Sequence, residues 1–382
     1  MRKVVIVKSF VKAFRVPFYE HLAKRLRSMG IDLRLVFGQP DRSHAGETDI
    51  VGRLTIGRRT RNRYLHIGRR SLVWQPALRH LRGADLVIVQ QGNRHILNHL
   101  LLWGRRALGA KLAFWGHGRN FHSPSPDGLS EGWKRICSRR VDYWFAYTER
   151  SRAVLRRLGA PDSRITVVQN AIDTARLVRD YEEVRQWELA ALRKEMRMTR
   201  GDVAGIYCGR FYGLKDIDFT LRSAEAVRAR NGRFHMIFVG GGAQAAKVES
   251  FCRANADWAH HAGPRYGRDK ARYFRLASCQ IMPGAVGLSI VDSFATLTPL
   301  ITRDIASHGP EIAYLQSGAN GLITEDSPDA YVDAVLKYLA DKACQKRLVR
   351  GCIAARRRYT IENMASRFAE GVCKALSGKD GD

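Results

Sequence analysis

IMPGAVGLSIVDSF, residues 281–294, continued by TPLITRDIASHGPEI from Thr298, decides how the rest of the chain is read. An apolar strand end, Cys279 to Met282, runs into Pro283 and Gly284. A short turn leads to Gly287 and Leu288, and an apolar-periodic run follows with Asp292 in its first turns. The pattern predicts a strand, a glycine-bearing loop and the N-terminus of a helix. A helix start offers free backbone N–H groups and a positive dipole end, which suit a phosphate. Gly287 has no Cβ and lets a ligand approach the backbone. An acid one turn into the helix is placed to hold a ribose diol beside that phosphate. Read alone, the same residues also make an ordinary strand, turn and helix with a solubilising Asp.

The 382 residues are enough for two domains, and 45% hydrophobic residues supply cores for both. Seven cysteines lie scattered, with no CxxC pair and no His/Cys cluster, which reads as reduced thiols in a cytosolic protein. The opening MRKVVIVKSF has too short an apolar run for a signal peptide. No stretch reaches the ~18 apolar residues of a spanning helix, so a soluble or peripheral chain is expected. The net charge of +29 is uneven: residues 1–180 carry 35 Lys and Arg against 13 acids, and residues 181–382 carry 30 against 23. A basic half attracts anionic lipid, nucleic acid or phosphorylated substrates.

In chain order, KVVIVK (3–8) reads as a buried strand, a helix opens at Pro17, and IDLRLVF (31–37) alternates as a second strand. This opening predicts a doubly wound parallel α/β sheet. Arg53 to Arg70 holds seven arginines and reads either as a surface for anionic head groups or as a solvated loop. KLAFW (111–115) is a strand, and His117 follows it between Gly116 and Gly118, at the edge where open α/β sheets bind ligands. Residues 174–198 are charged and helix-prone and read as the connection between domains. A second α/β unit starts at Asp202, with strands at 203–208 and 234–239, the latter running into Gly240-Gly241-Gly242. Helices are expected at 327–339, 342–357 and 361–375.

HG at 117–118, QNAID at 169–173, GR-x4-K at 209–215, VGGG at 239–242 and PGAVGLSIVD at 283–292 form an ordered set. In that set the chain resembles a family 4 retaining glycosyltransferase of the GT-B fold, over most of residues 85–325. The resemblance implies two Rossmann-like domains facing a cleft: residues 1–180 for the acceptor, residues 181–360 for the nucleotide-sugar, and a final helix, 361–382, crossing back to the N-terminal domain. It implies that Gly209, Arg210 and Lys215 grip the donor diphosphate. Arg forks onto phosphate oxygens and Lys acts as a point charge. It gives Gly287 and Leu288 the role of amide donors to the same group, Asp292 that of ribose ligand, Gly241 a place in the donor cleft, and His117 a catalytic place beside the transferred sugar.

Two departures stand out. The family's paired glutamates, with seven residues between them, fall on Gly284, on the sugar side, and on Asp292, one methylene shorter. Asp216 stands where the family often has glycine. Asp216-Ile217-Asp218 spells the D-x-D metal motif of the other major glycosyltransferase fold, but its place at a helix start reads as an N-cap with an acidic first turn. No metal and no cofactor is expected beyond the nucleotide-sugar co-substrate.

The expected activity is retaining transfer of one hexose to a lipid-linked or phosphorylated glycan acceptor, in lipopolysaccharide or exopolysaccharide assembly. The expected location is the inner face of the cytoplasmic membrane, held by anionic lipid, with no nucleic-acid partner. Two alternatives stay open: a GT-B sugar-nucleotide epimerase, and a non-catalytic basic protein that binds anionic lipid or nucleic acid.

Overall fold

The computed structural model describes residues 1–41, 54–68, 70–118, 132 and 136–378. The chain divides into two compact units, Met1–Asp173 with Thr360–Asp382, and Thr174–Tyr359. It is α/β throughout, and each unit is built on a parallel, Rossmann-like sheet.

In the first unit the strands are β1 (Arg2–Lys8), β2 (Ile31–Phe37), β3 (Gly57–Arg59), a hairpin of β4 (Arg63–Ile67) and β5 (Arg70–Trp74), then β6 (Leu86–Gln90), β7 (Lys111–Gly116), β8 (Tyr143–Ala146) and β9 (Ile165–Val167). The main sheet has the order β3-β2-β1-β6-β7-β8-β9. Continuous apolar runs such as Val4–Val7 form its centre because a parallel sheet is covered on both faces. The arginine-rich stretch resolves into β3 and the hairpin; Arg53 and Arg69 lie outside the described residues.

The helix Ile361–Ser377 packs in this unit, joining Phe368, Met364 and Val372 to the core of Val4, Phe18 and Trp115. Phe368 stacks on Phe145 with ring centroids 4.2 Å apart. Each such buried side chain is worth roughly 1.5–3 kcal/mol. Gly371, a poor residue inside a helix, lies where a Cβ would come within 2.8 Å of the Phe145 ring and 2.9 Å of Thr166, so its absence sets the closeness of helix and sheet. The QNAID segment is pinned here as well: Arg15 donates to Asn170 Oδ1 and, at 2.8 Å, to the Ala171 carbonyl.

In the second unit the strands are β10 (Val203–Cys208), β11 (Phe234–Val239), β12 (Ala259–Gly263), β13 (Cys279–Ile281), β14 (Leu300–Arg303) and β15 (Gly321–Thr324), ordered β12-β11-β10-β13-β14-β15. Residues 174–198 are not a connection. They form helices Ala175–Glu182 and Gln186–Glu195, which bury Leu177, Tyr181, Leu192 and Met196 in one core with Ile206 and Phe274. Their charge pattern concealed a half-buried face. The 180/181 boundary falls inside the first of these helices, whereas the units divide at 173/174.

Candidate active site

From β10 the chain of the second unit steps outward through β11 to β12, then returns to β13 on the other side of β10. Open parallel sheets hold ligands beyond the C-terminal strand ends at such a switch. The loops there, Gly209–Lys215 and Pro283–Leu288, contain most of the residues singled out above.

The first loop is cradled by the glycines after β11. A Cβ on Gly240 would lie 1.9 Å from the Gly209 carbonyl oxygen, and one on Gly242 would lie 2.6 Å from that of Phe211. The backbones therefore touch, and Phe211 N–H donates to the Gly241 carbonyl at 2.9 Å. Arg210 is exposed. Lys215 is 9% exposed, and its ammonium donates to the Ala285 carbonyl. Burial pushes its pKa down to about 8, against the Glu311 carboxylate, which raises it. Met282 Sδ, at 3.9 Å, is the ammonium's second contact.

Asp216 ends this loop with φ +48°, the left-handed region that glycine favours, which accounts for the glycine common at this position in the family. Here the acid has other uses. It caps the helix Ile217–Arg230 through Phe219 N–H and pairs with Arg303 at 2.6 Å. Asp218 pairs with Lys247 at 2.6 Å. Among the described residues, no group of three or more His, Cys, Asp or Glu is placed to hold a metal ion.

The second loop ends in the helix Ser289–Ala295. Among the described residues, the Gly287 and Leu288 amides donate to no backbone carbonyl, and both residues are half-buried. Asp292 projects from that helix and pairs with Lys270 at 2.7 Å. Burial depresses the Lys270 ammonium, but the charge and hydrogen bond of Asp292, with Cys208 and Tyr266, together make the net shift upward. Gly284 backs directly onto the first loop: a Cβ there would stand 2.1 Å from the Lys215 carbonyl oxygen.

Lys270 and Arg303 were not anticipated. Arg303, buried at the end of β14, reaches Pro283 O at 3.2 Å as well as Asp216 and Asp326, and so ties the two loops together. In sequence both are ordinary basic residues among 65, and only the folded sheet brings them to their acids.

His117 belongs to the first unit. Its ring stacks on Tyr147 with centroids 4.2 Å apart, and Nδ1 lies 3.4 Å from Ser151 Oγ. The flanking glycines have packing reasons. A Cβ on Gly116 would strike Gln91 at 2.5 Å, and one on Gly118 would strike Val154 at 2.9 Å. Gln91 clamps the turn by accepting from Gly118 N–H and donating to the Gly118 carbonyl. Arg119 and Asn120 lie outside the described residues.

Two family models match the chain: Glycosyltransferase Family 4 over residues 18–176, and Glycosyl transferases group 1 over residues 203–341. Together they span well over half of it. The chain belongs to the family 4 glycosyltransferases. This glycosyltransferase is 25% identical over 219 residues, 54% of its length, to the D-inositol 3-phosphate glycosyltransferase of Acidothermus cellulolyticus. That match covers 47% of the relative, so the chain spans about half the length of the curated relative it matches. It is similar in structure to HepE of Anabaena in complex with UDP (TM-score 0.71, 14% identity, 98% of this chain and 100% of that one). It is also similar to the lipopolysaccharide outer core galactosyltransferase WaaB (TM-score 0.69, 13% identity, 97% and 99%). At these identities the likeness is one of fold, and the fold is GT-B.

Proposed function

We propose that this glycosyltransferase moves one sugar, with retention at the anomeric carbon, from a nucleoside diphosphate sugar to a lipid-linked or glycan acceptor of cell-surface polysaccharide. The observation that carries the reading is a buried ammonium, Lys215, bonded to Ala285 in the loop whose Gly287 and Leu288 amides donate to no backbone carbonyl, at the switch of the second sheet. Preorganised donors of this kind stabilise charge that develops on a leaving diphosphate. Arg210 would add a second, mobile cation, and Asp292 would accept from the ribose hydroxyls. Breaking the anomeric C–O bond leaves the electron pair on the diphosphate. The acceptor oxygen bonds to the anomeric carbon from the same face, and its proton passes to the departing phosphate. No protein nucleophile is needed. His117 is assigned to the transfer step on the resemblance alone. With two side-chain cations and two amides for the diphosphate, the reading needs no metal. HepE in complex with UDP and the name of WaaB support a nucleotide donor and a surface-glycan acceptor.

The test is a thermal-shift panel of UDP, GDP, ADP, CMP and dTDP without metal. One nucleotide should raise the melting temperature by mass action. Asp292→Asn should then lose most of the preference for the ribonucleotide over its 2′-deoxy analogue. No shift with any nucleotide would overturn the donor site. Product formed without acceptor would point to the epimerase.

The acceptor side is proposed to lie on anionic lipid. Among the described residues no helix is long and apolar enough to cross a membrane. The helix Ile96–Leu108 exposes Leu100 (46%) and Trp103 (55%), and the Arg140 guanidinium lies 3.6 Å from the Trp103 ring centroid. Apolar side chains among basic ones suit an interface, where each basic residue adds ~1 kcal/mol. Trp103→Ala, which leaves the charge unchanged, should weaken binding to phosphatidylserine-containing vesicles several-fold in a flotation assay. Unchanged binding would remove this helix from the contact.

A further inference from the structure

The second sheet carries one group that runs against a site made for a diphosphate. Glu311 is 6% exposed in the short turn Pro310–Tyr314 after β14, and its carboxylate acts electrostatically on the Lys215 ammonium. The site of a would-be Gly309 Cβ lies 2.9 Å from Glu311 Oε2, 3.0 Å from the Val286 carbonyl oxygen and 3.6 Å from Gly287 Cα. The acid therefore stands a few ångströms from the loop that carries the Gly287 and Leu288 amides.

Its segment is fastened to that loop. Gly309 N–H donates to the Val286 carbonyl at 2.8 Å, and Val286 N–H donates to His308 Nδ1 at 3.0 Å. With Nδ1 accepting, the His308 proton sits on Nε2 and is donated to the Arg303 carbonyl at 2.6 Å. HGPE is thus a strap laid along residues 286–287, and its acid is held in place.

A fixed, buried carboxylate repels phosphate and accepts hydrogen bonds from hydroxyl groups. Beside a diphosphate, the hydroxyl-rich part of a nucleotide-sugar is the sugar. The carboxylate expected on the sugar side at position 284 is barred, since any side chain there meets the Lys215 backbone. We propose that Glu311, delivered by the HGPE strap, is the carboxylate that accepts hydrogen bonds from the donor sugar's hydroxyls, so that this chain reads its sugar from the loop after β14. This rests on the donor-site reading above. By the same position Glu311 favours the charged form of Lys215, so one acid serves both ends of the donor.

The experiment compares wild type, Glu311→Gln and Glu311→Asp by calorimetry at pH 6, where Lys215 keeps its proton. The probes are UDP with UDP-glucose and GDP with GDP-mannose. Gln keeps the shape and removes the charge, and melting temperatures check that each variant folds. For the pair that wild type binds, Glu311→Gln should bind the bare nucleoside diphosphate within threefold of wild type or better. Its affinity for the sugar nucleotide, or its turnover, should fall by about 30-fold or more, because a site built to pair a hydroxyl loses heavily when the pairing goes. Glu311→Asp should fall between. Equal weakening of nucleotide and sugar nucleotide would make Glu311 a mere holder of Lys215 and overturn the inference, as would no change in either. Failure of the donor-site reading looks different: wild type itself would bind neither these four probes nor any other nucleotide of the thermal-shift panel, and both proposals would fall together.

Discussion

Lys215→Met should raise the melting temperature of the ligand-free chain by several degrees and abolish the response to nucleotide expected at the proposed donor site. Both effects have one cause. The folded chain holds this ammonium with a pKa near 8 instead of 10.5. At 1.36 kcal/mol per unit, burying the charged form costs about 3 kcal/mol at neutral pH. Met fills similar space with no charge to desolvate. The same shift sets a pH dependence. Between pH 8 and 10.5 the unfolded chain holds the proton and the folded chain releases it, so stability rises with pH across that window. Nucleotide binding has the opposite slope, because the diphosphate needs the proton: affinity should be flat below pH 7 and fall above about 8 by up to tenfold per unit. Lys215→Arg should extend the plateau to higher pH, since guanidinium stays charged. Calorimetry from pH 6 to 9.5 checks both slopes. A Lys215→Met chain that still binds the nucleotide would place the diphosphate elsewhere.

Gly284→Glu, which restores the acid common in the family, should disrupt the proposed donor site instead of improving it. The new Cβ would stand 2.1 Å from the Lys215 carbonyl oxygen and 2.7 Å from its Cα, contacts that only backbone movement can relieve. Overpacking against backbone costs on the order of 3 kcal/mol. Gly284→Ala should suffer nearly as much, because the clash begins at Cβ. Denaturant melts of the two variants, with nucleotide affinity measured alongside, test this. A Gly284→Glu chain as stable as wild type and more active would show that position 284 still has room for the acid.

The strands were legible because continuous apolar runs such as Val4–Val7 and Met236–Val239 allow few other readings. The glycine loops were legible because backbone contact tolerates almost nothing else, as Gly240 against Gly209 illustrates. The pairing of Lys270 with Asp292 was not, since 22 residues and a return across the sheet separate them. Nor was the part played by Arg303, which depends on three carbonyl and carboxylate oxygens from three different loops. Residues 174–198 misled because their buried face is narrow and their charged face wide. Asp216 shows the converse: the departure from glycine was visible, while its reason, a left-handed backbone plus a helix cap, needed coordinates.

The first unit is interrupted in sequence by the whole of the second. Its core lacks Phe368, Met364 and Val372 until the chain has been made almost to its last helix, so during synthesis the apolar groove against Phe18 and Trp115 stands open. The second unit has no such wait, because Thr174–Tyr359 is continuous. Closing a loop of that length in an unfolded chain costs roughly 4–5 kcal/mol of entropy. Arg356 pairs with Glu182 at 2.6 Å, so folding the second unit brings its own two ends near each other. That charge against chain entropy is then already met when Thr360 emerges. The expected order of assembly follows: the unit begun later becomes native first, and its completion lets the unit begun earlier close.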